Sequence, residues 1–173
     1  CSDNYYNKDS CYYLYSMSIG DGFRTNAAAD NPYDFVKNTA IKREIEAGKK
    51  YSYSGLNTFI LSWLVEELTD MPFQDALTQE IWFHIGAEAD ASFLAPRNGI
   101  AMTHGGFMAK MRDMIRFGIL FTPSYKVVSD KKIISDSHID LILNEGNPEL
   151  LQILNRPGFE ESGIKHNIYQ WDL

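Results

Sequence analysis

The stretch that decides the fold runs from residue 48 to residue 58 and reads Gly48-Lys49-Lys50-Tyr51-Ser52-Tyr53-Ser54-Gly55-Leu56-Asn57-Thr58. Its small and polar residues predict a tight turn, in which either Ser54 or Asn57 can serve as the N-cap of a helix. Apolar residues at three- and four-residue spacing then predict an amphipathic helix that ends near Thr69, and its stripe is Phe59, Ile60, Trp63, Leu64 and Leu68. The turn therefore holds Tyr53 directly before the helix.

On the N-terminal side of this turn, the sequence predicts an irregular segment followed by one helix. Residues 1–32 are rich in Tyr, Asn, Asp, Ser and Gly and have no sustained period, apart from one short helix near residues 11–17. Asn31-Pro32 is typical of an N-cap followed by Pro at the first helical position. The apolar spacing after it predicts a helix that continues to Gly48.

On the C-terminal side, the pattern is mainly helical. It predicts helices over 73–84, 108–121, 136–144 and 148–155, with short strands near 92–94 and over 164–173. In the helix over 108–121, we expect Lys110, Arg112 and Arg116 to face solvent. The residues expected to face the core are Met111, Met114, Ile115 and Gly118.

Composition and charge exclude several classes of protein. The 173 residues are 45% hydrophobic and 23% charged, which is the balance of an ordinary folded domain. Asp and Glu number 23 against 16 Lys and Arg, so the net charge of −7 repels the phosphates of nucleic acid. The longest apolar runs, residues 59–65 and 115–121, fall well short of the roughly 20 residues that cross a bilayer. We expect neither nucleic-acid binding nor a transmembrane segment.

The two cysteines, Cys1 and Cys11, allow at most one disulfide and form no Cys-x-x-Cys pair. We expect two unlinked thiols. The alternative is a bridge across the N-terminal segment, which would indicate an oxidising compartment. A Cys followed by Ser and Asp also resembles a lipid-anchored start, an interpretation that the resemblance described below disfavours.

Tyr53 is the candidate for chemistry in the turn. A phenol held before a helix N-terminus lies near the positive end of the helix dipole, which favours an anion. Because the ordinary pKa of a phenol is about 10, Tyr53 can act as a base at neutral pH only beside a cation, and without one it is a packing aromatic. No histidine has a partner at zinc-ligand spacing, so we predict no metal site and interpret all four as surface or hydrogen-bonded residues: His84, His104, His138 and His166.

Four groups of residues, in order along residues 45–173, resemble one enzyme superfamily. The turn quoted above, with Leu61 and Glu66-Glu67, resembles the central Tyr motif of the penicillin-binding-protein and class C β-lactamase superfamily. Ile81-Trp82 with residues 85–91 resembles the stretch that closes the next helix pair in its esterase and 6-aminohexanoate-dimer-hydrolase branch. Similar to later segments of that branch are Gly105-Gly106-Phe107, Arg112-Asp113-Met114 with Arg116-Phe117-Gly118, and Tyr169-Gln170-Trp171.

This resemblance implies an α+β, β-lactamase/transpeptidase-like fold, of which the chain supplies mostly the helical portion with little sheet. It also implies a serine nucleophile in a Ser-x-x-Lys helix start, Tyr53 as its base, and a later Lys- or His-x-Gly strand. In that scheme the Lys ammonium is the cation that the phenol needs, and no metal or organic cofactor is implied. Gly55 stands where many members carry Asn, which favours the esterase or amide-hydrolase branch over a true β-lactamase.

The motifs for the nucleophile and for the third strand do not map onto this chain. No Ser-x-x-Lys precedes Tyr53, and the later matches that begin at Ser129 and Ser162 lie in polar loops on the wrong side of it, so we reject both. We interpret Gly105-Gly106 as a backbone turn, because it comes before the Arg-Asp helix. We therefore expect an internal piece of a larger hydrolase, or a natural protein without these parts.

The resulting prediction is one partial β-lactamase-like domain over 1–173: an irregular Tyr-rich segment (1–32), a helical region (33–163) and the start of a sheet strand (164–173). We expect a serine hydrolase for small esters or amides, inactive as this chain alone, with exposed apolar surface through which the chain can dimerise. A periplasmic or secreted location is slightly favoured over a cytoplasmic one. The alternative is a non-catalytic helical binding module whose contact surface is Tyr5, Tyr6, Tyr12, Tyr13 and Tyr15.

Overall fold

The computed structural model describes residues 1, 6–39, 46, 48–49 and 52–145. The chain divides into two compact units. The larger unit comprises Cys1–Ile41 and Tyr53–Ile133, and the smaller unit comprises Lys42–Ser52 and Ile134–Leu173. The described helices of the larger unit are α1 (Cys11–Ile19), α2 (Pro32–Asn38), α3 (Gly55–Thr69), α4 (Phe73–Glu80) and α5 (Met111–Ile119). A hairpin of β1 (Ser92–Phe93) and β2 (Phe107–Met108) lies between α4 and α5 in sequence, and α6 (Asp136–Asn144) lies in the smaller unit.

Caps in the sequence define the first two helices. The Ser10 hydroxyl accepts the Tyr13 N–H at 3.1 Å to start α1, and the Asn31 side chain accepts the Asp34 N–H at 2.9 Å to start α2. The predicted N-cap at Asn31 is confirmed. The predicted continuation to Gly48 is wrong, because α2 ends at Asn38 and the backbone of Thr39 is extended. Asn and Thr are weak helix formers, since their side chains favour other backbone conformations.

The core of the larger unit joins α1, α2 and α3. Its buried members are Tyr12, Tyr15, Ile19, Phe35, Leu56, Phe59 and Met102. The ring of Tyr15 lies 5.9 Å from that of Phe59 and 6.1 Å from that of Phe35. The alternative contact surface is therefore wrong for Tyr12 and Tyr15, because their three-residue spacing puts both on the buried face of α1. Tyr6 is exposed, and Tyr5 lies outside the described residues.

Glu66 links three helices of this unit. From α3, its carboxylate accepts the Tyr33 hydroxyl of α2 at 2.6 Å and the backbone N–H of Phe73, the first residue of α4, at 2.9 Å. Burial and the hydrogen bond to Glu66 raise the pKa of Tyr33, so this phenol stays protonated as the donor. The acidic residue that formed part of the Tyr-motif resemblance thus has a structural role here.

The region between α4 and α5 is an aromatic cluster built on the hairpin. The strands are antiparallel, with Phe93 opposite Phe107, and their rings lie 5.0 Å apart. Phe73 packs on Phe93 at 5.8 Å and Trp82 on Phe107 at 5.7 Å. The strand expected near 92–94 is confirmed. Its partner β2 was not predicted, and its second residue, Met108, was assigned to the start of the next helix.

The predicted helix over 73–84 is interrupted. The α-helix ends at Glu80, Ile81 has φ −128°, and residues 82–84 form a 3₁₀ turn. In this turn the Trp82 ring is buried and its Nε1–H donates to the Ala89 carbonyl at 3.0 Å. A buried indole N–H needs an acceptor, and the break lets Trp82 reach the Ala89 carbonyl.

The predicted inward face of α5 is wrong, whereas Lys110 and Arg112 are exposed as predicted. Met111 is 80% exposed and Ile115 is 56% exposed, whereas Asp113 is fully buried. The apolar residues face outward because the Asp113 carboxylate is held inside by hydrogen bonds that the helical period does not reveal. In α3 the predicted stripe is buried at Phe59, whereas Leu64 and Leu68 are exposed.

Cys1 and Cys11 are joined by a disulfide, with their Cα atoms 5.3 Å apart. The expectation of two unlinked thiols is therefore wrong. The bond joins Cys1 to Cys11, the first residue of α1, a proximity that no spacing rule for two cysteines reveals.

Helix α6 has the bounds that the sequence predicted, Asp136–Asn144, and the Ser135 hydroxyl accepts the His138 N–H at its start. The helix predicted over 148–155 and the strand over 164–173, including Tyr169-Gln170-Trp171, lie outside the described residues. Within the described ranges, no helix combines the length and the apolarity required to traverse a bilayer.

Candidate active site

Tyr53 lies in the extended segment that leads into α3, and 48% of its surface is exposed. Ser54 is the N-cap, as one of the two predictions had it, and its carbonyl accepts the Asn57 N–H at 3.0 Å. Its hydroxyl makes no side-chain cap bond; it is buried and has no hydrogen-bond partner among the residues described. The phenol therefore stands at the N-terminal end of a 15-residue helix, in a position that solvent can reach. Its catalytic role stays a prediction.

Gly55, the first residue of α3, lies against the ring of His104. A Cβ atom built on Gly55 would be 3.0 Å from Cδ2 and 3.2 Å from Cγ of His104, closer than side chains normally pack. Glycine at position 55 has a local reason, because the His104 ring occupies the space that a side chain would need.

His104 connects the start of α3 to α1. Its Nδ1 lies 2.9 Å from the Tyr15 hydroxyl, and its Nε2 lies 3.9 Å from Oδ2 of Asp21. The His104 side chain is 8% exposed. Burial lowers the pKa of His104 and the Asp21 carboxylate opposes that effect, so the imidazole is neutral at pH 7. With its proton on Nε2 toward Asp21, neutral His104 accepts the Tyr15 hydroxyl at Nδ1.

The turn that carries His104 is anchored on α3. The Thr103 hydroxyl lies 2.9 Å from that of Ser62, and the Gly106 N–H donates to the Met102 carbonyl at 2.8 Å. A Cβ on Gly106 would be 2.7 Å from the Met102 oxygen, so this position needs glycine. The structure thus has a backbone turn at Gly105-Gly106, as interpreted from the sequence.

Two of the resemblance landmarks are joined by one polar network. The Asp113 carboxylate accepts the backbone N–H of Glu88 at 2.9 Å and Nη1 of Arg116 at 2.8 Å, while Nη2 of Arg116 donates to Glu88 at 2.9 Å. The hydrogen bond from the Glu88 N–H, with support from Arg116, lowers the pKa of Asp113 below its ordinary value. Arg112-Asp113-Met114 and residues 85–91 therefore form a structural clamp between α5 and the loop after α4.

The other candidates from the sequence have no catalytic geometry here. The Ser129 hydroxyl donates to the Lys131 carbonyl at 2.9 Å, and the Lys132 ammonium lies 5.5 Å from the centre of the Tyr125 ring, which supports the rejection of this Ser-x-x-Lys match. The match at Ser162 lies outside the described residues. Within the described ranges, no three His, Cys, Asp or Glu side chains are grouped so as to hold a metal ion.

Sequence reasoning missed the partnership of Tyr15, His104 and Asp21. It treated His104 as a surface or hydrogen-bonded residue and Tyr15 as a contact residue. The two are 89 residues apart in the chain, so no local spacing connects them. The one available signal was the His-Gly-Gly turn together with the glycine at position 55, two features that meet only in the folded structure.

Comparison with known proteins confirms the resemblance to the serine β-lactamase and penicillin-binding-protein superfamily. No protein-family model matches the chain. The curated 6-aminohexanoate-dimer hydrolase of Paenarthrobacter ureafaciens is 26% identical over 132 residues, which cover 75% of this chain and 33% of that protein.

A solved structure supports the same relationship at the level of fold. It is that of a Bacillus anthracis protein assigned by name to the 6-aminohexanoate-dimer hydrolases, with a TM-score of 0.64 and 24% identity. The match covers 76% of this chain and 34% of that one. The chain therefore spans about a third of the length of both relatives, and it shares the fold of the part that it covers.

Proposed function

We propose that the protein containing this chain is a serine hydrolase for ester or amide bonds, and that Tyr53 is the base partner of a serine nucleophile from a Ser-x-x-Lys motif outside residues 1–173. The half-exposed phenol of Tyr53 before α3 carries this proposal, because it lies in a chain similar to a named dimer hydrolase. A buried phenol would have no access to a reacting group.

The proposed reaction moves one proton back and forth through Tyr53. The Lys ammonium keeps Tyr53 ionised as a phenolate. This phenolate takes the proton of the serine hydroxyl while the serine oxygen attacks the substrate carbonyl carbon. When the tetrahedral intermediate collapses, the phenol returns this proton to the leaving nitrogen or oxygen, and an acyl-serine remains. Water then hydrolyses the acyl-serine in the same way. A proton of the water passes to Tyr53 while the water oxygen attacks the acyl carbonyl carbon. The serine oxygen leaves and takes the proton back from Tyr53.

The relative's name favours an amide among the two substrate classes. A dimer of 6-aminohexanoate is two amino acids, which are joined through the amine of one and the carboxyl of the other. We extend this class to the present protein as part of the proposal. Gly55 favours the esterase or amide-hydrolase branch over a true β-lactamase, and it does not distinguish an ester from an amide.

Replacing Tyr53 with Phe in the full-length protein is the direct test. We expect kcat for a small amide or ester to fall roughly 10²- to 10⁴-fold, the usual contribution of a positioned acid–base group. Tyr125→Phe is the matched control, since it removes a phenol in the turn after α5, and it should leave kcat unchanged. Unchanged turnover in Tyr53→Phe would end the assignment.

The parts outside the chain give an independent test. The protein sequence should contain Ser-x-x-Lys before position 1 and Lys- or His-x-Gly after position 173, and a serine-directed phosphonate should label that serine. Residues 1–173 alone should not turn over a chromogenic ester. Saturable turnover by this chain that Tyr53→Phe abolishes would contradict the proposal.

The non-catalytic binding module remains the competing function. Its proposed contact surface is weakened, because Tyr12 and Tyr15 belong to the core. A full-length protein without Ser-x-x-Lys, in which phosphonate labels nothing, would favour it over the hydrolase.

A further inference from the structure

A buried pair of side chains reaches the start of α3 from the far side of the core. Tyr15 is fully buried in α1, and its hydroxyl meets Nδ1 of His104 at 2.9 Å. The two rings also pack, with their centres 5.4 Å apart. A hydrogen bond in such an apolar setting restricts the orientation of the imidazole, because breaking it would cost a contact between two buried polar atoms.

This fixed imidazole forms the surface on which the Tyr53 turn rests. Its Cδ2, Cγ and Cβ atoms lie 3.0, 3.2 and 3.3 Å from the position of a Cβ on Gly55, so backbone and ring are in close contact. Gly55 is two residues after Tyr53, and Ser54 between them is partly buried. A displacement of the ring would therefore let the turn move toward the space that it left.

The turn that carries His104 cannot easily withdraw. Thr103 is linked to Ser62 in the second turn of α3 at 2.9 Å, and Gly106 is enclosed by Met102 and by Leu94, whose Cβ lies 3.1 Å from a Cβ built there. His104 is thus held at its backbone by α3 and at its ring by α1. The residues that hold them, Ser62 of α3 and Tyr15 of α1, are not neighbours of Tyr53 in the sequence.

We propose that His104 is a positioning residue for Tyr53: held by Tyr15, it fixes the Tyr53-Ser54-Gly55 turn at the start of α3. The catalytic consequence of this placement rests on the proposed function, whereas the placement itself does not. A base displaced by about 1 Å from its productive position can lose roughly 10²-fold in rate. The support is therefore predicted to act on kcat rather than on substrate affinity.

The kinetic test is a double-substitution cycle in the full-length protein. We expect His104→Ala to lower kcat roughly 10- to 100-fold with little change in KM, and Tyr15→Phe to lower it less, because the ring packing remains. His104→Asn should retain most activity, since its Oδ1 can replace Nδ1 as the acceptor. In a Tyr53→Phe background, His104→Ala should have no further effect on kcat, because a residue that acts through Tyr53 has nothing left to position.

A structural test uses residues 1–173 and needs no activity. With ¹³Cζ-labelled tyrosine, the Tyr53 signal is identified by its loss in Tyr53→Phe. This signal should shift or broaden in Tyr15→Phe and in His104→Ala, and His104→Asn should largely restore it. His138→Ala, which removes an exposed histidine from α6, should leave it unchanged.

The two tests separate the failure of the inference from that of the proposed function. An unchanged Tyr53 signal in folded Tyr15→Phe and His104→Ala, or kinetic losses that simply add to that of Tyr53→Phe, would overturn the positioning role. A shifted signal in a protein that hydrolyses nothing would support the positioning role and refute the hydrolase. If His104→Ala does not fold, Tyr15→Phe decides, since it removes only one hydroxyl oxygen.

Discussion

Gly55 and His104 show how one missing side chain shapes the site. The backbone at position 55 has an ordinary negative φ, so glycine is not required for conformation. It is required for space, because the His104 ring is held in place by Tyr15 at 2.9 Å. Size, rather than backbone freedom, explains the glycine at position 55.

This argument predicts a stability effect at the residue scale. Gly55→Ala should lower the free energy of unfolding by about 1–3 kcal/mol, the usual cost of overpacking a tight contact. In the double variant with His104→Ala, most of this penalty should disappear, because the methyl group then has room. Urea denaturation of the four proteins measures the coupling.

Gly118→Ala is the control for this prediction. A Cβ on Gly118, within α5, meets no atom inside 4 Å, so alanine there should stabilise the helix by roughly 0.5–1 kcal/mol. Equal effects of alanine at both positions, or a Gly55→Ala penalty that persists without His104, would show that the contact with the ring is not tight.

The sequence revealed one part of the candidate site and hid the other. Tyr53 and Gly55 lie in a continuous motif, so local spacing and resemblance identified them together. Tyr15, Asp21 and His104 come from two segments that only tertiary packing brings together. Without an alignment, the covariation that such a contact produces is invisible in a single sequence.

Helix α5 shows why hydrophobic periodicity alone can misorient an element. Its apolar residues suggested an inward face at Met111 and Ile115, yet the face that is buried contains Asp113. A carboxylate can lie inside when an arginine and a backbone N–H bind one of its oxygens, as Arg116 and the Glu88 N–H bind Oδ1 of Asp113 here. The helix itself was predictable, whereas its rotation depended on this polar network.

The Asp113 network predicts acid sensitivity at the element scale. Hydrogen bonds lower the pKa of both Asp113 and Glu88 in the folded chain, so the folded state binds fewer protons than the unfolded state in the acid range. Their contribution to stability is therefore complete at neutral pH and is lost as pH falls below about 4.5, the ordinary carboxyl range. Asp113→Asn should be less stable than wild type at pH 7, and its stability should decline less steeply with acid.

Thermal unfolding between pH 3 and pH 7 measures this effect. Asp130→Asn, an exposed change outside the network, serves as the control and should follow the wild-type profile. Parallel pH profiles for Asp113→Asn and wild type would contradict the assigned role of the clamp.

Capping signals were the most reliable predictors of the elements. The predicted N-cap at Asn31 is confirmed, and Ser54, one of two candidates, is the N-cap of α3, because a cap depends on residues within one turn. The break after Glu80 could not be predicted, since it serves a bond between Trp82 and Ala89. Only β1 of the hairpin was predicted, because each strand is two residues long and therefore too short to show alternation.

For the whole molecule, the main feature is apolar surface on two helices. Leu64 and Leu68 of α3, and Met111 and Ile115 of α5, are each more than half exposed. The chain spans about a third of the relatives that it matches. In the proposed hydrolase we expect other parts of the fold to cover these side chains. Periodicity within one helix does not show what packs against its apolar face.

Exposed side chains of this kind predict self-association of residues 1–173. Light scattering should give a mass above that of one chain, increasing with concentration, and an apolar dye should bind. Leu68→Lys combined with Met111→Lys should reduce both signals, whereas Thr122→Lys, which adds charge at an exposed polar position, should not. A concentration-independent single-chain mass with no bound dye would refute this prediction.

The contact between Gly55 and His104 also restricts the order in which the two positions can change during evolution. A lineage that acquires a bulkier residue at 55 first meets the occupied space and loses stability. A lineage that first exchanges His104 for a smaller residue makes the later change tolerable. The two substitutions are therefore epistatic, because the effect of a larger residue at position 55 depends on which residue occupies position 104.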